Sequence, residues 1–132
     1  SGVMFRVTED FVEPYLTGPE YQVIDDEGYP GDLKDTQLTG STYDMYAASN
    51  QKINPIGEWN TSKLIANGNH IEHWLNGSKV LEYEINSADW KKRKDGSKWN
   101  EAASYGIIPK GYIDLQDHKN EVWFRNIMIR TL

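Results

Sequence analysis

The pair Glu20 and Gln22 is the first place in the sequence where residue types and spacing suggest chemistry. Segment 20–25 alternates like a half-buried strand, so that Glu20 and Gln22 point to one face and Tyr21 to the other. A carboxylate accepts hydrogen bonds from two hydroxyls and an amide both donates and accepts, which matches neighbouring sugar hydroxyls. A glutamate in this setting can also act as a general base or acid. An ordinary solvent-exposed sheet face is an equal alternative at this point.

Two histidines, His70 and His73, lie three residues apart. On a helix this spacing would form a metal-binding pair, but the Asn-Gly dipeptide at 76–77 predicts a β-hairpin, in which the two side chains point to opposite faces. We expect His70 on the solvent side. His73 shares its face with Ile71 and Leu75, so it is either a buried, hydrogen-bonded histidine or a functional histidine in an apolar wall.

The densest polar group in the chain follows the last predicted strand, at Gln116, Asp117 and His118. Arg125 faces them from the next predicted strand, within reach if the hairpin is tight. An Asp-His pair can orient an imidazole as a base or bind a metal together with Glu20, and an arginine can stabilise an oxyanion. The alternative is a charged hairpin tip in which Arg125 pairs with Asp117.

Aromatic residues are numerous for an acidic chain of low hydrophobicity, with five tryptophans, eight tyrosines and three phenylalanines. An aromatic ring can stack on the C–H face of a sugar. Aliphatic residues are scarce, so most of these rings must fill the core, and we expect one or two at most to serve as platforms. The candidates for stacking are Tyr43, Tyr46, Trp59, Trp74, Trp90 and Trp99.

Short alternating segments are the elements that must position these residues. They predict strands at 3–8, 20–24, 41–46 and 62–66, a hairpin of 70–75 with 79–83, and a last hairpin of 112–116 with 121–129. Ser87 can cap one short helix over 88–93, which Gly96 would end. A long loop rich in glycine, 25–40, is of the kind that lines sites. Strands at this spacing indicate a sandwich or barrel.

Composition limits the function classes. The chain of 132 residues suits one domain, and its formal charge of -6 opposes binding to nucleic-acid phosphates. It has no cysteine, which excludes thiol catalysis and cysteine-based zinc sites. No apolar run is long enough to span a bilayer, and neither a phosphate-binding glycine loop nor a serine-hydrolase elbow is present.

The motifs, taken together and in order, resemble the family formerly labelled DUF1080, now described as 3-keto-disaccharide hydrolase or as 3-keto-glucoside 1,2-lyase and 3-keto-2-hydroxyglucal hydratase. The resemblance covers nearly the whole chain. It departs at Lys119, where the family usually has glycine. The segments that carry it are 1–7 (SGVMFRV), 18–25 (GPEYQVID), 57–60 (GEWN), 72–77 (EHWLNG), 111–118 (GYIDLQDH) and 122–127 (VWFRNI).

The resemblance implies an all-β, concanavalin A-like jelly-roll sandwich of two antiparallel sheets with one short peripheral helix and a sugar site on a concave sheet face. Residues 1–132 would be the C-terminal part of one such domain, without its N-terminal strands. Bare sheet edges would then pair with those strands or with another chain. The resemblance also suggests a bacterial protein that is periplasmic or secreted.

The family chemistry implies roles for the candidate residues. A ketone at C3 acidifies the proton at C2, a base removes it, and the C1 aglycone leaves before water adds to the enone. His73 or His118 would be the base, with Glu20 and Asp117 orienting it or holding a divalent metal ion. Arg125 and Gln116 would bind the enolate side, and the substrate hydroxyls or ring would contact Arg6, Gln22 and Trp59.

Two other function classes remain open from the sequence. Jelly rolls also form carbohydrate-binding modules without catalysis, and an exposed sheet edge can recruit a protein partner. A titratable group aimed into the groove favours the enzyme, an aromatic platform without one favours the binding module, and an apolar patch without a groove favours the interaction domain.

Overall fold

The computed structural model describes residues 1–132 and contains two antiparallel sheets of three strands each. This confirms the predicted all-β sandwich with one short helix, α1 (Ala88–Asp95). The first sheet has the strand order β2-β1-β6, and the second has the order β3-β4-β5. The strands are β1 (Gly2–Val7), β2 (Glu20–Gln22), β3 (Ser62–Asn67), β4 (His70–Leu75), β5 (Ser78–Glu84) and β6 (Tyr112–Leu115), with short 3-10 turns at Pro14–Leu16 and Asp35–Gln37.

Local sequence signals place the hairpin and the helix where they were predicted. Asn76 and Gly77 have positive φ angles of 47° and 81°, as a type I′ turn between β4 and β5 requires. At α1, the Ser87 hydroxyl accepts a hydrogen bond from the Trp90 backbone N–H at 3.1 Å, and the helix ends before Gly96. No helix is long and apolar enough to cross a membrane.

The two sheets pack face to face through an aromatic interior. Phe5 of the first sheet joins Ile71 and Tyr83 of the second sheet in one buried cluster. Tryptophan and tyrosine rings fill much of the remaining volume, as the scarcity of aliphatic residues predicts. The other buried members of the cluster are Met45, Tyr46, Ile85, Trp90, Trp99 and Tyr105.

Two predicted strands are wrong. Segment 41–46 is a turn in which Thr42 makes single bridges to Tyr21 and Tyr46, because the residues double back on themselves. Segment 121–129 has no regular structure, and its side chains, Trp123 and Ile127 among them, are largely exposed. β6 pairs with β1 and not with this segment, so the segment has neither a backbone partner nor a facing sheet to bury its apolar residues.

Candidate functional site

The outer face of the first sheet, the face turned away from the second sheet, carries the predicted pair Glu20 and Gln22. In the antiparallel register Met4 lies opposite Glu20 on β2 and opposite Asp114 on β6, while Gly2 lies opposite Gln22. Residues opposite one another point to the same face, so these polar side chains share it. Tyr21 points the other way and contacts the interior, which confirms the predicted alternation.

Glu20 is the most unusual acid on this face. Only 5% of the residue is exposed, yet no protein group donates a hydrogen bond to its carboxyl oxygens. The carboxyl group lies over Gly2, where any side chain would collide with it. Burial raises the pKa of Glu20, and this effect exceeds the opposing influence of the amino-terminal charge and of Lys98. A buried carboxyl without a partner is suited to accept a proton or a ligand hydroxyl.

Lys98 is the cation of this site, and its charge partly offsets the burial that raises the pKa of the Glu20 carboxyl. Its ammonium group stands over two aromatic rings, 4.1 Å from the centre of Tyr43 and 4.3 Å from that of Trp99. The Lys98 backbone N–H donates to the Asp44 carboxylate at 2.9 Å, which fixes the segment in place. Partial burial lowers the pKa of Lys98, whereas the Glu20 and Asp44 carboxylates raise it. The ammonium nevertheless forms a salt bridge with neither acid.

Amide and phenol groups continue the polar surface beside Glu20. Gln22 donates its side-chain N–H to the Gln37 carbonyl at 3.0 Å, and the Gln37 amide donates to the Tyr43 hydroxyl at 3.0 Å. The predicted substrate-binding residue Gln22 is therefore held in place and lies on the same face as Glu20. Next to Lys98 and Trp99 is an open cavity of about 340 Å³, which is also lined by Tyr15, Leu16, Glu101 and Ala102.

His73 is in the interior, on the opposite side of the first sheet from this face. It is fully buried, and its ring packs against Tyr21 with the ring centres 4.8 Å apart. Its Nδ1 lies 2.8 Å from the Gly40 carbonyl oxygen, so Nδ1 carries the proton and donates it in a hydrogen bond. Burial lowers the pKa of His73 to about 4. This geometry fits the buried, hydrogen-bonded alternative, and His73 and Glu20 do not share a face.

Of the polar group at the end of β6, Gln116 lies opposite Gly2 and so shares the face of Glu20, whereas Asp117 and His118 lie in the turn beyond the strand. Asp117 accepts a hydrogen bond from the Lys119 backbone N–H at 2.8 Å, which closes an exposed turn around His118. Gln116 extends the pairing of β6 through a backbone bond of 3.0 Å to Gly2. The departure from the family pattern at Lys119 falls in this turn, where Lys119 has a φ of 69°.

The two predicted arginines are directed elsewhere. Arg6 has a positive φ of 60° at an irregularity between β1 and β6, which breaks the alternation of the strand. Its guanidinium therefore reaches toward the second sheet and donates to the Gly68 carbonyl. The Arg125 guanidinium lies over the exposed ring of Trp59, 4.0 Å from the ring centre. It pairs with no carboxylate, and so it makes neither of the contacts that the sequence suggested.

The residues suggested for a metal, Glu20, Asp117 and His118, are not brought together as a ligand set. Three other groups, His70, Glu72 and Glu82, have ligand atoms within 4.8 Å of one another. They lie on the outer face of the second sheet, and His70 is on the solvent side as predicted. The Trp74 indole and the Lys79 ammonium already contact these carboxylates. Both carboxylates of this second group are therefore already paired with protein donors.

Fold and site together define a β-sandwich with a polar, partly buried site on an outer sheet face. The family model of the 3-keto-alpha-glucoside-1,2-lyase-like domain matches residues 1–130, and the chain belongs to this family. This confirms the resemblance found in the sequence.

Individual relatives agree with the family. The chain is 33% identical over 138 residues to a 3-keto-disaccharide hydrolase of Bacteroides thetaiotaomicron, a match that covers 93% of this chain and 47% of that protein. Two crystal structures, each described as a "putative glycosyl hydrolase" from Parabacteroides distasonis, are also similar. The first has a TM-score of 0.74 and is 40% identical, and the match covers 80% of this chain and 53% of that chain. The second has a TM-score of 0.56 and is 32% identical, and the match covers 63% of this chain and 43% of that chain. The chain thus spans about half the length of these relatives.

Lys98 is the site residue that sequence reasoning missed. It lies between the predicted helix and the last strand, in a segment without a clear period, where a lysine carries no signal of its own. The neighbouring Trp99 is a weak indication, because a buried tryptophan fixes the chain on either side. Its indole N–H donates to the Tyr43 carbonyl at 3.0 Å, which brings Lys98 to the face of Glu20.

Proposed function

We propose that this chain carries the active face of a carbohydrate-active enzyme that cleaves 3-keto-glycosides by elimination and hydration, with hydrolysis as the net result. Family membership and the name of the Bacteroides relative support the substrate class. The observation that carries the proposal is Glu20, a buried carboxyl group with a raised pKa and no hydrogen-bond partner. Such a group meets the requirements of a general base.

Glu20 would remove the proton from C2 of the sugar. The electrons of the C2–H bond form a C2=C3 double bond, and the C3 ketone becomes an enolate oxygen. When the enolate collapses, a C1=C2 double bond forms and the C1–O bond to the aglycone breaks; the departing oxygen takes up a proton. Water then adds to the enone, which completes the cleavage. Because burial raises the pKa of Glu20, its carboxylate is a stronger base than an exposed one.

The neighbouring groups support binding of a hydroxylated ring. Gln22 and Tyr43 offer amide and phenol groups on the face of Glu20, and these can exchange hydrogen bonds with sugar hydroxyls. His73 has no such access, because it is enclosed in the interior. His118 lies in the exposed turn beyond the end of β6. In this proposal the base is therefore Glu20 rather than a histidine.

The test is turnover of a 3-keto-glucoside with a chromogenic aglycone by the full-length protein. We expect Glu20→Gln to lower kcat by about 10² to 10⁴-fold, the usual contribution of general-base catalysis. Glu27→Gln is the matched control, since Glu27 is an exposed acid in the long loop and its loss leaves turnover unchanged. Full turnover by Glu20→Gln would contradict the role of Glu20.

The same assay addresses the remaining expectations. Binding of the 3-keto-glucoside without any release of the aglycone by the wild-type protein would favour a carbohydrate-binding module over an enzyme. We keep a divalent metal ion as a proposal taken from the family resemblance alone, and a parallel assay with EDTA tests it. We also propose a periplasmic or secreted location, which fractionation of the producing cells tests.

A further inference from the structure

The ammonium group of Lys98 and the carboxyl group of Glu20 can carry opposite charges but do not form an ion pair. Tyr43 links them: its backbone N–H donates to the Glu20 carbonyl oxygen at 3.1 Å, and its ring centre lies 4.1 Å from the Lys98 ammonium. No salt bridge joins the two charged groups. Lys98 also forms no salt bridge with Asp44, whose carboxylate instead accepts the Lys98 backbone N–H and lies 3.9 Å from the Lys34 ammonium. The charged ends of Glu20 and Lys98 are therefore both available to a ligand on the same face.

Glu20 and Lys98 stand beyond salt-bridge distance, so their charged groups do not pair with each other and a ligand can contact both. Charge-assisted hydrogen bonds are about 2.7 to 2.9 Å long, so a ligand that contacts both groups needs them to stand beyond salt-bridge distance. The surroundings hold Lys98 in place. Lys98 rests on the rings of Tyr43 and Trp99, and Trp99 is itself buried and stacked on Tyr105 with 4.7 Å between ring centres. Lys98 remains exposed on its other side, so a ligand can reach it.

We propose that Lys98 is a catalytic residue that binds the C3 carbonyl oxygen of the 3-keto-sugar and stabilises the enolate that forms on it. The inference rests on the proposed function. In a 3-keto-glycoside the acidic proton is on C2, next to the carbonyl carbon, so a base and a cation must lie side by side to act on both atoms. Glu20 and Lys98, which share Tyr43 as a neighbour, offer such a base and cation on one face.

Glu20 and Lys98 together account for the proton and the electrons in the formation of the enolate. Glu20 takes the proton as the C2–H bond breaks, and the electron pair moves into the C2=C3 bond. The carbonyl π electrons move onto the oxygen, whose negative charge faces the Lys98 ammonium. A positive group aimed at the position where charge develops lowers the barrier, and more so where water is partly excluded. The aromatic rings beneath Lys98 exclude water from one side of its ammonium.

The experiment compares Lys98→Met with Lys92→Met in the full-length protein, using the same chromogenic 3-keto-glucoside. Lys92 is an exposed lysine on α1 and serves as the control for loss of one positive charge. We expect Lys98→Met to lower kcat by about 10² to 10³-fold with a much smaller change in KM, because the interaction is strongest in the transition state. Lys92→Met should keep full turnover.

Chemical rescue separates this role from a structural one. In Lys98→Ala, added ethylamine should restore part of the lost kcat, whereas a packing defect would not respond to an amine. Wild-type turnover together with a Lys98→Met kcat within about threefold of it would overturn the role of Lys98 and leave the proposed function intact. Loss of kcat in a folded Lys98→Ala without amine rescue would also overturn it. No turnover by the wild-type protein would instead reject the proposed function.

Discussion

The outer faces of the two sheets both carry glutamate and lysine, but they use them in different ways. On the second sheet, Glu72 accepts hydrogen bonds from the Trp74 indole at 2.6 Å and from His70, and Lys79 forms salt bridges with Glu72 and Glu82. On the first sheet, the Glu20 carboxyl group accepts no hydrogen bond from the protein, and Lys98 forms no salt bridge with it.

The pKa values of the two acids record this difference. The hydrogen bond from Trp74 is the main reason why the pKa of Glu72 is lowered, whereas burial raises the pKa of Glu20. A paired, accessible carboxylate favours the folded state, while a buried carboxylate without a partner costs stability when it ionises. Functional sites often contain residues, such as Glu20 here, that lower the stability of the folded state. The comparison therefore supports the proposed site on the first sheet and contrasts it with the solvated surface of the second.

The largest expected effect is on the free energy of unfolding and comes from His73, in the interior between the two outer faces. Burial holds the pKa of His73 near 4, against an ordinary value of 6.5. The unfolded chain therefore binds a proton more readily in this range, and the stabilising effect of neutral His73, present above pH 6.5, is lost as the pH falls toward 4. We expect the free energy of unfolding to fall by up to about 3 kcal/mol from this residue alone.

Urea unfolding from pH 7 to pH 4 measures this loss, and His73→Gln should remove most of the pH dependence. NMR of the wild-type protein provides an independent measurement if the variant does not fold. A His73 ring that titrates in the folded state near its ordinary pKa would show that water reaches it, and the two faces would not be separated as described.

The next effect concerns the contribution of Glu20, on the first sheet, to the stability of the protein. The folded state raises the pKa of Glu20, so it keeps the proton to a higher pH than the unfolded chain does. The stabilising contribution of protonated Glu20 is full below the unfolded pKa and is lost as the pH rises through the folded pKa. We therefore expect Glu20→Gln to melt higher than the wild-type protein at pH 7, with a smaller difference at pH 4. An equal difference at both pH values would contradict the burial of this carboxyl.

The smallest effect, with the opposite sign, belongs to Glu72. Its folded pKa is lowered, so its stabilising contribution is present above the unfolded pKa and is lost as the pH falls through the folded value. Glu72→Gln should melt slightly lower than the wild-type protein at pH 7, and the difference should shrink in acid. The effect is small because accessible ion pairs contribute little. A higher melting temperature for Glu72→Gln would remove the contrast between the two faces.

How far the sequence predicts the site depends on how local each signal is. The shared face of Glu20 and Gln22 follows from alternation within one strand, and the structure confirms it. The reach of Arg6 and Arg125 could not be predicted, because the first depends on an irregular pairing with β6 and the second on a segment that forms no strand. The alternation of side chains predicts which face a residue occupies only where the strand pairs regularly with its expected partner.

The sequence by itself determined the elements that depend on neighbouring residues. The Asn76-Gly77 turn, the Ser87 cap and the alternation of β2 and β4 all arise from short-range sterics and hydrogen bonding. Only the tertiary structure decided that Glu20 is buried without a partner and that Lys98 stands beside it. These two residues lie in separate parts of the chain, and Tyr43 brings them together, because its backbone accepts a hydrogen bond from the Trp99 indole and donates one to Glu20. Burial and charge proximity are properties of the packed chain, which no local pattern encodes.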